Sequence, residues 1–188
     1  MEAAVLQTRV LDAAETLLYG RGLQTVGMDE IRNESGVSLK RLYQLFPSKE
    51  RLVEAYLRRR DARWRASLAS HVDALPADAA DENQVLAVFD WLQSWFEEPD
   101  FRGCAFVNSF GELGATSDAV AAAARDHVDA LRSYLAGLVT AAGRPASLAE
   151  PLLLLVEGAI TTAAITGSSA TAGQAKEAAR VLLEAARS

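Results

Sequence analysis

The sequence predicts an all-α fold: an N-terminal three-helix head built around a helix-turn-helix, followed by a larger C-terminal helical domain. Three observations lead there. Apolar residues recur at spacings of three and four along the 188-residue chain, and no apolar/polar alternation runs long enough to insist on a strand. The stretch Met28–Phe46, MDEIRNESGVSLKRLYQLF, splits into two short helical segments about Gly36. Half of the residues are hydrophobic, enough to bury a substantial core, and the natural division is a reading head over residues 1–47 and a helical body over 48–188.

Val5–Tyr19 places Leu6, Val10, Ala13 and Leu17 on one helical face, with Ala14 and Leu18 beside them, and Arg21-Gly22 supplies the stop. In the next pair Ile31 points inward, Gly36 lets the chain turn through positive φ, and Val37 plugs the junction. Ser38 is placed to cap the following helix. That helix sends Leu42, Leu45 and Phe46 one way and Lys40, Arg41, Tyr43 and Gln44 the other, so one side packs while the other offers cations, an amide and a phenol. A helix of this kind on a helical platform suits a DNA major groove. Pro47-Ser48 ends it and opens the next, leaving Lys49 at a helix N-terminus where backbone N–H groups and an ammonium can grip a phosphate.

The fourth helix is expected over 49–71, with Leu52, Val53, Tyr56 and Leu57 inward and Arg58, Arg59, Arg60 and Arg63 largely outward. Two readings fit the arginines: contact with DNA backbone, or a solvated face several turns from the groove. A loop is expected from Leu75 to Asn83, broken by Pro76. Helices then follow over 84–97, 102–114, 118–142, 148–166 and 174–186. Ser147-Leu148-Ala149-Glu150 fits a capping box for the fourth of these, and 167–173 is a connector. Leu152–Val156 is apolar around the whole turn, and the small residues Gly158, Ala159, Ala163 and Ala164 admit another helix at close range. Such a helix faces its own core on one side and a second subunit on the other.

Composition narrows the function classes. No run reaches the roughly 18 consecutive apolar residues of a membrane span, and MEAAVLQTRV lacks the basic start and apolar run of a signal peptide, so a cytoplasmic location is expected. The single cysteine, Cys104, rules out an intramolecular disulfide framework, and the two histidines, His71 and His127, lie far apart and leave little for a zinc site. No cofactor, metal or catalytic residue is expected, since G-x-S-x-G, the P-loop and H-E-x-x-H are all missing. The net charge of −6 is unevenly spread: residues 1–65 hold 12 Lys/Arg against 9 Asp/Glu and the remainder 7 against 16. A basic head on an acidic body is what a protein presents when one end meets phosphates.

With these residues in view, Val10–Leu57 resembles the DNA-binding domain of TetR-family transcriptional regulators. The shared marks are Gly22-Leu23 after an amphipathic helix, Gly36-Val37-Ser38, Leu42-Tyr43, and Phe46-Pro47-Ser48-Lys49-Glu50-Arg51-Leu52. The chain departs from the family at Gly27, where Ser or Thr is common, at Arg32, where a small residue is usual, and at Lys40-Arg41, where Gly-Thr or Gly-Ala is common. Lys40 and Arg41 enlarge the base-reaching surface and leave the operator sequence open.

The resemblance implies DNA contacts from Ser38, Leu39, Lys40, Arg41, Tyr43, Gln44 and Lys49, a homodimer formed by the last two long helices as a four-helix bundle, and a palindromic double-stranded DNA operator. It also implies a cavity for a small-molecule effector of unknown identity, whose binding respaces the reading heads and releases a repressor. Candidate lining residues are Trp91, Trp95, Phe106, Asn108, Phe110, Glu112, His127 and Glu157. The alternatives are plain core packing for Trp91 and Trp95, one turn apart, mutual or solvent hydrogen bonding for Asn108 and Glu112, and a surface or satisfied core histidine at His127. Cys104, beside Arg102 near a helix start, reads either as an oxidisable thiol or as a small buried side chain. The competing function class is a helical partner-binding or ligand-binding protein with a vestigial reading head; nothing in the sequence favours an enzyme.

Overall fold

The computed structural model describes residues 2–76 and 81–187, and every described element is helical. In order these are α1 (Glu2–Arg21), α2 (Met28–Ser35), α3 (Leu39–Leu45), α4 (Lys49–Asp73), α5 (Asp81–Phe96), α6 (Ala105–Leu113), α7 (Asp118–Ala141), α8 (Ala149–Thr166) and α9 (Ala170–Ala185). Contacts divide the chain into two compact units, Met1–Arg63 with Ala105–Asp126, and Trp64–Cys104 with His127–Ser188. Helices α4 and α7 therefore contribute one end to each unit.

In the first unit, Val10, Ala14, Leu18, Ile31, Leu42, Leu52, Tyr56 and Leu57 are at most 3% exposed and form the core beneath the helix-turn-helix. Gly22 ends α1 at φ +92°, as a glycine at a helix C-terminus can, and its N–H donates to the Leu18 carbonyl at 2.9 Å. An added Cβ there would sit 2.9 Å from the Glu112 carboxylate. That carboxylate accepts the backbone N–H groups of Leu23 and Gln24 at 2.9 and 2.8 Å, so α6 fastens the turn between α1 and α2. Glu112 thus hydrogen-bonds backbone, in place of the expected Asn108 or solvent.

Arg59 and Arg60 depart from both readings, whereas Arg58 and Arg63 stay exposed. Arg59 donates to Asp12 and Glu15, both at 2.8 Å, while Arg60 and Arg63 reach Glu15 at 3.0 and 2.9 Å. Arg60 also stacks on Tyr19, with its guanidinium carbon 3.7 Å from the ring centroid. With side-chain exposures of 21% and 13%, Arg59 and Arg60 are turned inward and clamp α4 to α1. Arg58 stays at the surface, bonded to Glu54.

The second unit is built on aromatic and aliphatic packing. Trp64 meets Trp91 edge-on at 4.9 Å, Trp91 stacks on Trp95 at 5.5 Å, and Trp91 Nε1 donates to Ser67 Oγ at 3.1 Å. Leu152, Val156, Ile160, Ala172, Ala179 and Leu183 bury the inner faces of α8 and α9 against each other.

Several expected boundaries shift. Helix α5 begins at Asp81, so Asp81–Asn83 is helix and not loop; the rest of that expected loop includes residues 77–80, outside the described residues. The capping box at Ser147 does not form: Pro145 leads into a 3-10 turn over Ala146–Leu148, and Glu150 pairs instead with Arg132 at 2.7 Å. Helix α9 takes in Ala170–Gly173, which shortens the connector to Gly167–Ser169, with Gly167 at φ +67°. The stretch Ala146–Thr166 has a mean hydropathy of 1.6 in its most apolar window and is long and apolar enough to cross a membrane on length and composition alone. Its two acidic residues, Glu150 and Glu157, and its buried inner face fit a core helix better.

Candidate nucleic-acid interface

Short-range hydrogen bonds give α2 and α3 their shape. Gly27 has no side chain to cap α2, but its N–H is accepted by Glu30 Oε1 at 3.1 Å. Glu30 also takes Arg21 Nη1 at 2.6 Å, and the Gly27 N–H and Arg21 together hold its carboxyl below the usual range. At the other end of α2, Gly36 adopts φ +64° and Arg9 Nη2 donates to the Ser35 carbonyl at 2.7 Å. A Cβ at position 36 would lie 2.8 Å from that guanidinium, so glycine answers both the left-handed backbone and the close approach. Ser38 then caps α3, its Oγ accepting the Arg41 N–H at 3.3 Å, and Ser48 caps α4 the same way, accepting from Arg51 at 3.2 Å.

The consequence is a helix with two unlike faces. Leu42 is fully buried and Phe46 is 4% exposed, whereas Tyr43 is 44% and Leu39 39% exposed. Lys40 and Gln44 are likewise exposed, and Arg41 is half-buried with its Nη1 on Gln44 Oε1 at 3.1 Å. Arg41 and Gln44 therefore present one joined donor and acceptor surface. Lys49 stands half-buried in the first turn of α4. Bidentate or paired donors of this kind suit base edges in a major groove, and the ammonium at a helix start suits a phosphate.

The eight residues expected to line an effector cavity fall into both units. In the first, Asn108 and Glu112 line a cleft of about 150 Å³ together with Tyr19, Tyr56 and Ser109. Phe106 is buried at 3% exposure and Phe110 is 51% exposed. In the second, Trp91 and Trp95 are each 8% exposed and His127 2%, with the Trp64 ring edge-on to His127 at 5.1 Å. Both Glu157 carboxylate oxygens are buried with no hydrogen-bond partner; burial pushes this carboxyl up, against the opposing pull of His127. Cys104 is buried at 6% exposure. Trp64, the hub of this aromatic group, was not among the residues singled out in the sequence. Its signal was the apolar stripe Leu57, Trp64, Leu68, Val72, which continues the inward face of α4 at helical spacing.

Residues 10–56 match the family model described as bacterial regulatory proteins, tetR family. An uncharacterized HTH-type transcriptional regulator of Mycobacterium tuberculosis is 44% identical over 55 residues, and the matched segment spans 29% of this chain and 27% of the relative. The chain thus covers about a quarter of the length of the curated relatives it matches. Solved structures extend the likeness over nearly the whole chain. A TetR-family transcriptional regulator from Streptomyces coelicolor superposes with a TM-score of 0.86 at 24% identity, covering 97% of this chain and 90% of the other. A protein of Streptomyces avermitilis assigned as a TetR transcriptional regulator gives 0.82 at 30% identity, covering 97% and 98%. Likeness of that extent, together with the family match over residues 10–56, places this chain in the TetR family of transcriptional regulators, with a DNA-binding helix-turn-helix in its N-terminal part.

Proposed function

We propose that the protein is a cytoplasmic, ligand-responsive repressor that binds a palindromic operator as a homodimer and leaves it when a small-molecule effector binds. The observation that carries this reading is the solvent face of α3: Lys40, Tyr43 and Gln44 exposed, with Arg41 held against Gln44, above a fully buried Leu42. Residues 1–47 act as the reading head and 48–188 as the effector-binding and dimerising body. Support for the dimer lies on α8 and α9, where Leu154, Ile165 and Val181 are 73%, 80% and 58% exposed. Large apolar side chains are stabilised by burial, and a second copy offers each of these the same surface in return. A two-fold pair sets two recognition helices about one DNA turn, roughly 34–36 Å, apart, which favours a palindrome.

Arg41, Gln44, Tyr43, Lys40 and Leu39 of the head face the bases, while Ser38, and Lys49 at the start of the body, hold the backbone. Release follows by linkage: an effector that prefers one arrangement of the dimer weakens the operator complex by its differential affinity. Mobility shifts on DNA from upstream of the protein's own gene test the division of roles. Arg41→Ala should cost about 1–3 kcal/mol at one base position, whereas Lys49→Ala should weaken all sequences alike and lower the salt slope by about one. Equal, sequence-blind losses from both substitutions would overturn it.

A further inference from the structure

Three residues from separate segments meet in the second unit. Cys104 lies just ahead of α6, His127 in the middle of α7 and Glu157 in the middle of α8. One donor atom from each, a thiol sulfur, an imidazole nitrogen and a carboxylate oxygen, lies within 4.8 Å of the other two. We infer that Cys104, His127 and Glu157 form a binding site for one divalent transition-metal ion of the zinc class.

The geometry is close to what such an ion requires. Zinc bonds of about 2.3 Å to sulfur and 2.0–2.1 Å to nitrogen and oxygen put tetrahedral donors roughly 3.3–3.6 Å apart. Drawing three donors together by about an ångström is a rotamer adjustment, within reach of a cysteine and a glutamate side chain. The donor set also selects the ion. Thiolate and imidazole favour zinc, cobalt or nickel, whereas magnesium and calcium take oxygen. A thiolate and a carboxylate together neutralise a dication, so the occupied site carries no net charge into the interior.

Burial supplies the second, independent reason. Both Glu157 oxygens are shut off from solvent and accept no hydrogen bond, a costly state for a carboxylate unless a cation joins it. Cys104 and His127 are 6% and 2% exposed, and the Trp64 ring lies edge-on to the imidazole at 5.1 Å, so the donors sit away from bulk solvent. Three protein ligands leave a fourth position on a tetrahedral ion for water or another ligand. Metal was not expected from the sequence because its two histidines were weighed against each other; the partners of His127 are a cysteine and a glutamate brought in by the fold.

The test uses the full-length protein, stripped with a chelator, and needs no DNA, so its result is independent of the regulator reading. Titration with cobalt(II) should saturate at one ion per chain and produce a thiolate-to-cobalt charge-transfer band with the intense visible bands of a tetrahedral centre, and zinc should abolish both. Cys104→Ser should remove the charge-transfer band, and His127→Ala or Glu157→Gln should weaken binding by roughly 10-fold or more. Because core substitutions can cost stability, Tm is read alongside. Zinc at a hundredfold excess over the wild-type Kd should raise the wild-type Tm on the order of 5–10 °C and that of Glu157→Gln by about half as much or less. Absence of the charge-transfer band in the wild type, or zinc stabilisation of the same size in Glu157→Gln as in the wild type, would overturn the assignment.

Discussion

The recognition segment α2–α3 and the C-terminal pair α8–α9 both present exposed side chains, but of opposite kinds. Helix α3 shows solvent Lys40, Tyr43 and Gln44 while hiding Leu42; α8 and α9 show solvent Leu154, Ile165 and Val181 while hiding Leu152, Val156 and Leu183. Each helix of the first segment opens on a short-range bond, at Gly27–Glu30 and Ser38–Arg41, whereas α8 begins with no side-chain cap at all. The difference teaches where each shape comes from. The reading helix is specified by its own neighbours and stands ready for a polar partner, while the C-terminal pair has an apolar outer face that one chain leaves uncovered.

The sharpest way to break this contrast is to charge the apolar face. Leu154→Glu combined with Ile165→Glu should cost the single chain little, since both sites are more than two-thirds exposed, and should leave the circular dichroism spectrum unchanged. Sedimentation should nevertheless show a monomer, and operator affinity should fall by about 10²-fold or more as two linked reading heads become one. A variant that sediments as a dimer would mean that these residues are not the interface. A smaller effect sharpens the other side. Ser38→Ala removes the bond to the Arg41 N–H and should lower stability by about 1 kcal/mol in chemical denaturation, despite the exposure of Ser38. No change in the denaturation midpoint would show that the cap contributes nothing to the reading helix.

What could be read from the sequence follows the same division. The positive φ of Gly36, the inward Ile31 and Leu42, and the caps at Ser38 and Ser48 are relations between residues at most four apart, where spacing alone carries the information. Relations across the chain were lost. Arg59 and Arg60 looked like an outward basic run because Asp12 and Glu15, which turn them inward, lie more than forty residues earlier. Ser147 and Glu150 had the right spacing for a capping box, yet Arg132 takes the glutamate and a 3-10 turn occupies the start. Glu112 was grouped with cavity-lining residues, and its use in fastening Leu23 and Gln24 depends on α6 meeting a turn nearly ninety residues away. The gathering of Cys104, His127 and Glu157 is a product of the same long-range packing, with no local pattern to announce it.

The claim at the centre is that two copies hold their recognition helices one duplex turn apart. Binding measured on synthetic duplexes carrying two identical half-sites, with their separation stepped one base pair at a time, tests it most directly. The account predicts tight binding when the half-site centres are about 10 base pairs or a whole multiple apart, and weak binding after a half-turn shift that moves one site to the opposite face. Affinity indifferent to that separation would contradict it.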